Sequence, residues 1–240
     1  MSKPVFPLLL PALLLAASSL FAVNATAAAA QLTETETRWL RAGAPVLDYA
    51  KRIGLPIDIV VQPQAGPNDV PIAMGFDGGR CKLFLSMRGN SQADDILAQV
   101  PDAARSVMIE AMTAHEVGHC WRYAQGDWHV LPSGFVEVSQ EQADESRLLV
   151  EAKAMREMRR EEGFSDLAAL AWTQTHHPAD YVTVLAWMEQ VRRAQPLTGS
   201  SHDTLVWLHE AGEASVFQGG ATPFDQAMPL WRKGLSDDNK

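Results

Sequence analysis

The stretch "TAHEVGHCWR", residues Thr113 to Arg122, sets two histidines four residues apart, with a glutamate directly after the first. What surrounds it decides what the spacing means. From Pro101 to Gln125 there is no internal proline and a single glycine, and Val107, Met108, Ala111, Met112 and Val117 recur at helical intervals. The pattern predicts one helix running through the motif. Residues four apart on a helix lie about 40° apart around its axis, one turn along. His115 and His119 therefore aim their imidazoles at one point. Glu116 is rotated about 100° from His115, so it flanks that point. The competing reading is a pair of solvated helix histidines.

Two such imidazoles are two legs of a tetrahedral zinc site. Zinc lowers the pKa of a bound water to about 7, and a neighbouring carboxylate can take the proton. Glu116 is the candidate for that role. A third ligand decides between the two readings. The metzincin extension needs a glycine at position 122 and a histidine at position 125, where this chain has Arg122 and Gln125. A glutamate on a later helix is the alternative. "EEGFSDLAALAW" supplies Glu162, Ser165 and Asp166, with Glu162 placed 43 residues after His119. Glu162 and Asp166 are again four apart. The first can ligate while the second holds the outer nitrogen of a ligand histidine. "EQADESRLL" offers Glu141, Asp144 and Glu145, 22 to 26 residues after His119, and Glu161 adjoins Glu162. The 141–145 stretch alternates in charge and reads as a solvated face. Glu162 instead heads "LAALAW", a helix running into the core, where an acid needs a partner.

HExxH followed by ExxSD resembles the gluzincin, thermolysin-like class of zinc metallopeptidases. The resemblance implies His115, His119 and Glu162 as zinc ligands, Glu116 as catalytic base and Asp166 as the support of a ligand histidine. It also implies a zincin-like fold: a small N-terminal sheet with an edge strand, an active-site helix and a helical C-terminal half. Zincins commonly hold an extended peptide against the edge strand of their sheet. "CKLFLSMRGN", the last strand-like segment before the motif helix, is the candidate for that edge. A downstream histidine donates to the oxyanion in this class. Here His202, in "SSHDTLVWLHE", stands at an expected helix start with Ser201 as its cap, although its spacing departs from the class. Tyr123 and Tyr181 are further candidates. His129, His176, His177 and His209 read as surface or structural.

Outward from the motif, "PIDIVVQ" has strand composition, and "VPIAMGFDGGRCKLFLSMRGN" reads as two strands around an Asp-Gly-Gly turn. An amphipathic helix is expected over about Glu34 to Arg52. A charged helix is expected from about Ser139 to Arg160, interrupted near Gly163 before another through Trp172. Helices around Tyr181 to Arg193 and His202 to Glu213 then close the domain. Strands first and helices afterwards argue an α+β class.

The first thirty residues read differently. Lys3, an apolar run from Val5 to Val23 and the small residues up to Ala27 or Ala30 have the layout of a secretory signal peptide. Pro7 and Pro11 disfavour an uncleaved membrane anchor. A mature domain of residues 31–240, periplasmic or secreted, is the expectation. In an oxidising compartment Cys81 and Cys120 are a plausible disulfide pair; two buried thiols are the alternative. The 240 residues carry a net charge of −9 and no sustained Lys/Arg block, which argues against nucleic acid and anionic membrane surfaces as partners. The functional expectation is an exported zinc-dependent peptidase with Zn2+ as cofactor and a peptide or protein as substrate. The alternatives are a zinc hydrolase acting on a cell-wall or small-molecule amide, and a non-catalytic zincin-like binding domain.

Overall fold

Helix α1 (Glu34–Arg52) begins at a capping box. The Thr33 hydroxyl accepts from the Glu36 backbone, and the Glu36 carboxylate accepts from the Thr33 backbone. The structure is a computed structural model, which describes residues 31–67, 69–135, 146–194 and 199–238. The expected signal segment and the acids Glu141, Asp144 and Glu145 lie outside the described residues. From Leu32 onward the chain forms one unit. After α1 come strands β1 (Ile57–Val61), β2 (Ile72–Asp77) and β3 (Arg80–Leu85), then helices α2 (Gln92–Asp95) and α3 (Asp102–Ala124). Helices α4 (Ser146–His176), α5 (Tyr181–Arg193), α6 (Leu205–Glu210) and α7 (Pro223–Asp238) follow. The class is α+β, a small sheet followed by helices, and no described helix is long and apolar enough to cross a membrane.

Helix α3 is the centre of the packing. It lies between α1 and α4 and also meets β2. From Met108 to Cys120 every side chain except that of Met112 is buried. A helix enclosed on all sides has to find partners for every polar group it carries, and this one carries His115, Glu116 and His119. Gly118, inside the motif, lets α4 come close. A Cβ there would stand 3.1 Å from Ser165 Oγ and 3.2 Å from the Ala168 Cβ. The motif glycine therefore brings the segment with Glu162, Ser165 and Asp166 onto the motif.

The sheet corrects one expectation. Its order is β1-β3-β2, with β1 parallel and β2 antiparallel to β3. "CKLFL" is thus the central strand, and β2, on the side of α3, is an edge. The reason lies in the hairpin: β2 and β3 pair tightly around Gly78 and Gly79, and the preceding β1 adds to the far side of β3. The outward side of β2 follows from its bonds. Ser86 N–H donates to the Pro71 carbonyl, so Pro71, Ala73 and Gly75 direct their backbone groups to β3. Those of Ile72, Met74 and Phe76 face the open edge.

Three helix expectations also change. Gly163 does not interrupt α4; it makes room for the Trp207 ring of α6, which a side chain there would overlap. The helix expected from His202 begins at Leu205 instead. Thr204, not Ser201, is its N-cap residue, and Thr204 makes no side-chain capping bond because its hydroxyl bonds Asp166. Finally α7, with an internal Pro229, closes the fold and buries Trp231 against α4, where the Trp231 indole N–H donates to the Arg160 carbonyl.

A Cys81–Cys120 disulfide ties β3 to α3. In the chain-entropy account, closing a loop of this size contributes about 4 kcal/mol.

Candidate metal centre

His115, His119 and Glu162 converge, all three buried, with their ligand atoms within 4.8 Å of one another. His115 Nε2 and His119 Nε2 are 3.1 Å apart. The Glu162 carboxylate stands 3.3 Å from each of them, through Oε2 and Oε1 respectively. The outer nitrogens are both engaged. His115 Nδ1 meets Asp166 Oδ1 at 2.9 Å, and His119 Nδ1 meets Ser165 Oγ at 3.0 Å. With each Nδ1–H donating outward, both Nε2 atoms present lone pairs inward.

Three acceptors facing one another, with no donor among them, leave a place for a metal ion or for protons between them. The spacing fits the ion. A tetrahedron with metal–ligand bonds of about 2.0–2.1 Å has edges of about 3.3–3.4 Å. The charge balance fits as well. Glu116, Glu162 and Asp166 are carboxylates, and Arg192 brings one positive charge, so with neutral imidazoles the ionised cluster is two negative charges from neutrality. One divalent cation, or two protons, closes that gap. A buried His115/His119/Glu162 group that could hold a metal ion is therefore a feature of this fold.

In the metal-free protein, protons take part of that role. Burial pushes the His115 imidazole down, but Asp166 and Glu162 outweigh it and hold the pKa up to about 10. Burial pushes the Glu162 carboxyl up, while His119 and His115 bring it well below its usual range. Asp166 is likewise raised by burial and brought below the ordinary range by Arg192 and His115. Glu116 differs. Burial dominates there and raises its pKa against the pull of the two histidines and of the Met74 backbone N–H. It is the acid of the cluster most inclined to take up a proton, and it makes no part of the three-ligand group.

Asp166 is held from three sides. Arg192 of α5 donates Nε to Oδ2 at 2.8 Å and Nη2 to Oδ1 at 2.6 Å, and Thr204 Oγ1 donates to Oδ2 at 2.5 Å. Arg192 Nη2 also reaches Glu162 Oε2 at 3.3 Å. Sequence reasoning missed both residues. A basic pair ending a helix reads as a complement to the helix dipole, and a threonine before a helix reads as a cap.

The remaining candidates divide cleanly. His202 Nε2 comes within 3.5 Å of Glu162 Oε2 from a side chain that stays 43 % exposed. Burial is the main influence lowering its pKa, which favours the neutral ring. Glu161 turns away from the centre and accepts from Arg122 Nε and Nη2, each at 3.0 Å. The Tyr181 hydroxyl donates to the Ala211 carbonyl inside the core. Tyr123 stacks on Phe76. Of the histidines read as structural, His177 pairs with Glu110 and His176 stacks on Trp172.

No family model, curated protein or solved structure matches the chain.

Proposed function

We propose that the chain is a zinc-dependent peptidase of zincin type, with His115, His119 and Glu162 holding the ion. The observation that carries this reading is the fourth residue. A site needing only structural zinc has no use for Glu116, a buried carboxylate of raised pKa beside the three acceptors and against the open edge of β2. When bound, zinc supplies Lewis acidity, polarising a carbonyl and easing deprotonation of water near neutral pH.

The chain's own residues account for the rest. The outward backbone groups of Ile72 and Phe76 and the Met74 carbonyl can pair with an extended peptide, the Met74 N–H being taken by Glu116, which places the peptide's bonds over the motif helix. Glu116 takes the proton of the attacking water and returns it to the departing amine. His202, neutral and directed at the centre through Nε2, donates to the carbonyl oxygen as it becomes negative. Asp166, Ser165, Arg192 and Thr204 hold the ligands in register. The oxidised Cys81–Cys120 pair supports an exported setting, periplasmic or secreted.

The test is zinc content and peptide hydrolysis of residues 31–240, measured beside Glu116→Gln. The expected result is one zinc in both proteins and a loss of hydrolysis of about a thousandfold in the variant. Full zinc with equal rates in both would refute the assignment of Glu116. Hydrolysis of muropeptide amides but not of casein would move the reading to a cell-wall amide.

A further inference from the structure

Helix α3 meets the hairpin along a stripe that carries Glu116. Cys120 follows Glu116 by four residues, so the two project from one side of the helix, a turn apart. Each is matched by the hairpin. Glu116 accepts from the Met74 N–H of β2. Cys120 is bonded to Cys81 of β3, which stands opposite Phe76 of β2. The two steps have nearly the same length. Four residues of helix rise about 6 Å, and the two residues from Met74 to Phe76 span about 6.6 Å of strand. The Glu116–Met74 bond and the disulfide are therefore neighbouring rungs between helix and hairpin.

The other contacts of the hairpin are of a different kind. Leu83 and Leu85 are buried in the shared core, but hydrophobic contact is non-directional and fixes no register. Phe76 stacks on Tyr123, without a covalent tie. The metal-binding group is fastened elsewhere. His115 and His119 are held through their outer nitrogens by Asp166 and Ser165 of α4, and Glu162 lies on α4 itself. None of these bonds involves the hairpin. Cys81 and Cys120 are both 0 % exposed, so an oxidant reaches them only before the sheet closes on α3. Forming the bond passes two protons and two electrons from the thiols to the disulfide of an exchange oxidant, which leaves as two thiols.

We propose that Cys81 and Cys120 are positioning residues for Glu116: their oxidation sets β2 against α3, and the reduced chain keeps its metal-binding group but not a placed base. The inference rests on the peptidase reading above for the role of Glu116. A chain built in this way holds the ion yet stays inert in a reducing compartment, and gains activity where disulfides form. Because the sulfurs are enclosed once the fold closes, the step is a commitment made during folding and not a switch thrown repeatedly.

The experiment compares the oxidised protein with the same chain refolded under a phosphine reductant. A third sample, Cys81→Ala with Cys120→Ala, has no thiol to take up zinc. Zinc should stay at one per chain in the alanine pair. Amide exchange at Met74, read by NMR, should be about 30-fold faster without the bond, the worth of a hydrogen bond to a carboxylate. For a fluorogenic casein peptide kcat should fall about 100-fold, with KM little changed because β2 keeps its own edge. Reoxidation of the reduced chain should restore it. Glu116→Gln, which costs the oxidised chain about a thousandfold, should cost the alanine pair only about tenfold. Unchanged Met74 exchange overturns the inference, because the Phe76–Tyr123 stack would then hold the register alone. Zinc lost together with the bond overturns it too, since the disulfide would then support the whole centre. So does a full thousandfold cost of Glu116→Gln in the alanine pair. If the oxidised protein cleaves no peptide, the peptidase reading falls, and Met74 exchange still decides whether the bond sets the register.

Discussion

Helices α3 and α4 are joined by two buried charge clusters, built from neighbouring residues to opposite ends. At one, Arg122 and Glu161 are each 1 % exposed. They make two parallel bonds, and the pair is finished off by the Val130 carbonyl and the His129 N–H. The Arg122 guanidinium also lies 4.3 Å over the Trp231 ring. One positive charge meets one negative charge and the polar valence is filled, so the pair asks for nothing further. At the other, Glu162 faces His115 and His119, and the acceptors outnumber the donors. The step of about 100° between consecutive helix residues sends the two glutamates to different neighbours. Balance is what separates a fastening from a group that could hold a metal ion.

Exchanging the adjacent acids breaks this comparison most directly. Glu161→Ala strands the Arg122 charge in the core, and the expected loss is about 3–5 kcal/mol of stability by denaturant titration, with one zinc per chain retained. Glu162→Ala should abolish stoichiometric zinc. A balanced pair can also be replaced by packed apolar groups, so Arg122→Met with Glu161→Leu should recover most of what Glu161→Ala loses. Zinc retained in Glu162→Ala and lost in Glu161→Ala would reverse the two roles.

Such a division was only partly legible in the sequence. His115, His119 and Glu116 could be placed because the helical period alone fixes their relation, and Glu162 with Asp166 by the same rule on a second helix. Which of Glu161 and Glu162 enters the site was harder. It depends on how α3 and α4 are rotated against each other, set by contacts such as Gly118 against Ser165 and Ala168. Arg192 and Thr204 arrive from α5 and the turn before α6 and carry no local pattern. Gly163 read as a helix breaker, because the Trp207 ring that fills its place lies 44 residues further along. The edge strand was misplaced for a similar reason. Strand composition tells which segments pair, whereas the order β1-β3-β2 comes from β1 joining the far side of the hairpin.

The outer bonds of His115 and His119 sharpen the comparison at smaller cost. Asp166→Ala removes the acceptor of His115 Nδ1 and frees the ring to turn, so zinc affinity should fall about 100-fold. Ser165→Ala removes only a neutral hydroxyl from His119 Nδ1, for an expected loss nearer 10-fold. Competition with a chromogenic chelator measures both. Equal losses, or none, would mean that the imidazoles are held by packing and that the converging lone pairs owe nothing to these partners.

The effect most specific to an unbalanced cluster is its dependence on pH. In the metal-free protein His115 carries a proton up to a pKa of about 10, against 6.5 for a free histidine. A folded pKa above the unfolded one means that this group stabilises the fold fully below about pH 6.5, and that the contribution is lost as pH rises toward 10. The metal-free protein should therefore weaken through that window. Zinc has to displace the same proton, so its affinity should rise about tenfold per pH unit from 7 toward 10, after correction for the chelator's own titration. Calorimetry in buffers of different ionisation enthalpy should find about one proton released per zinc at pH 8. A flat affinity with no proton released would mean that nothing holds the three acceptors together before the metal arrives. The approach of Nε2 to Nε2 at 3.1 Å would then have to be enforced by the helix alone, as the Arg122–Glu161 fastening is enforced by its own two charges.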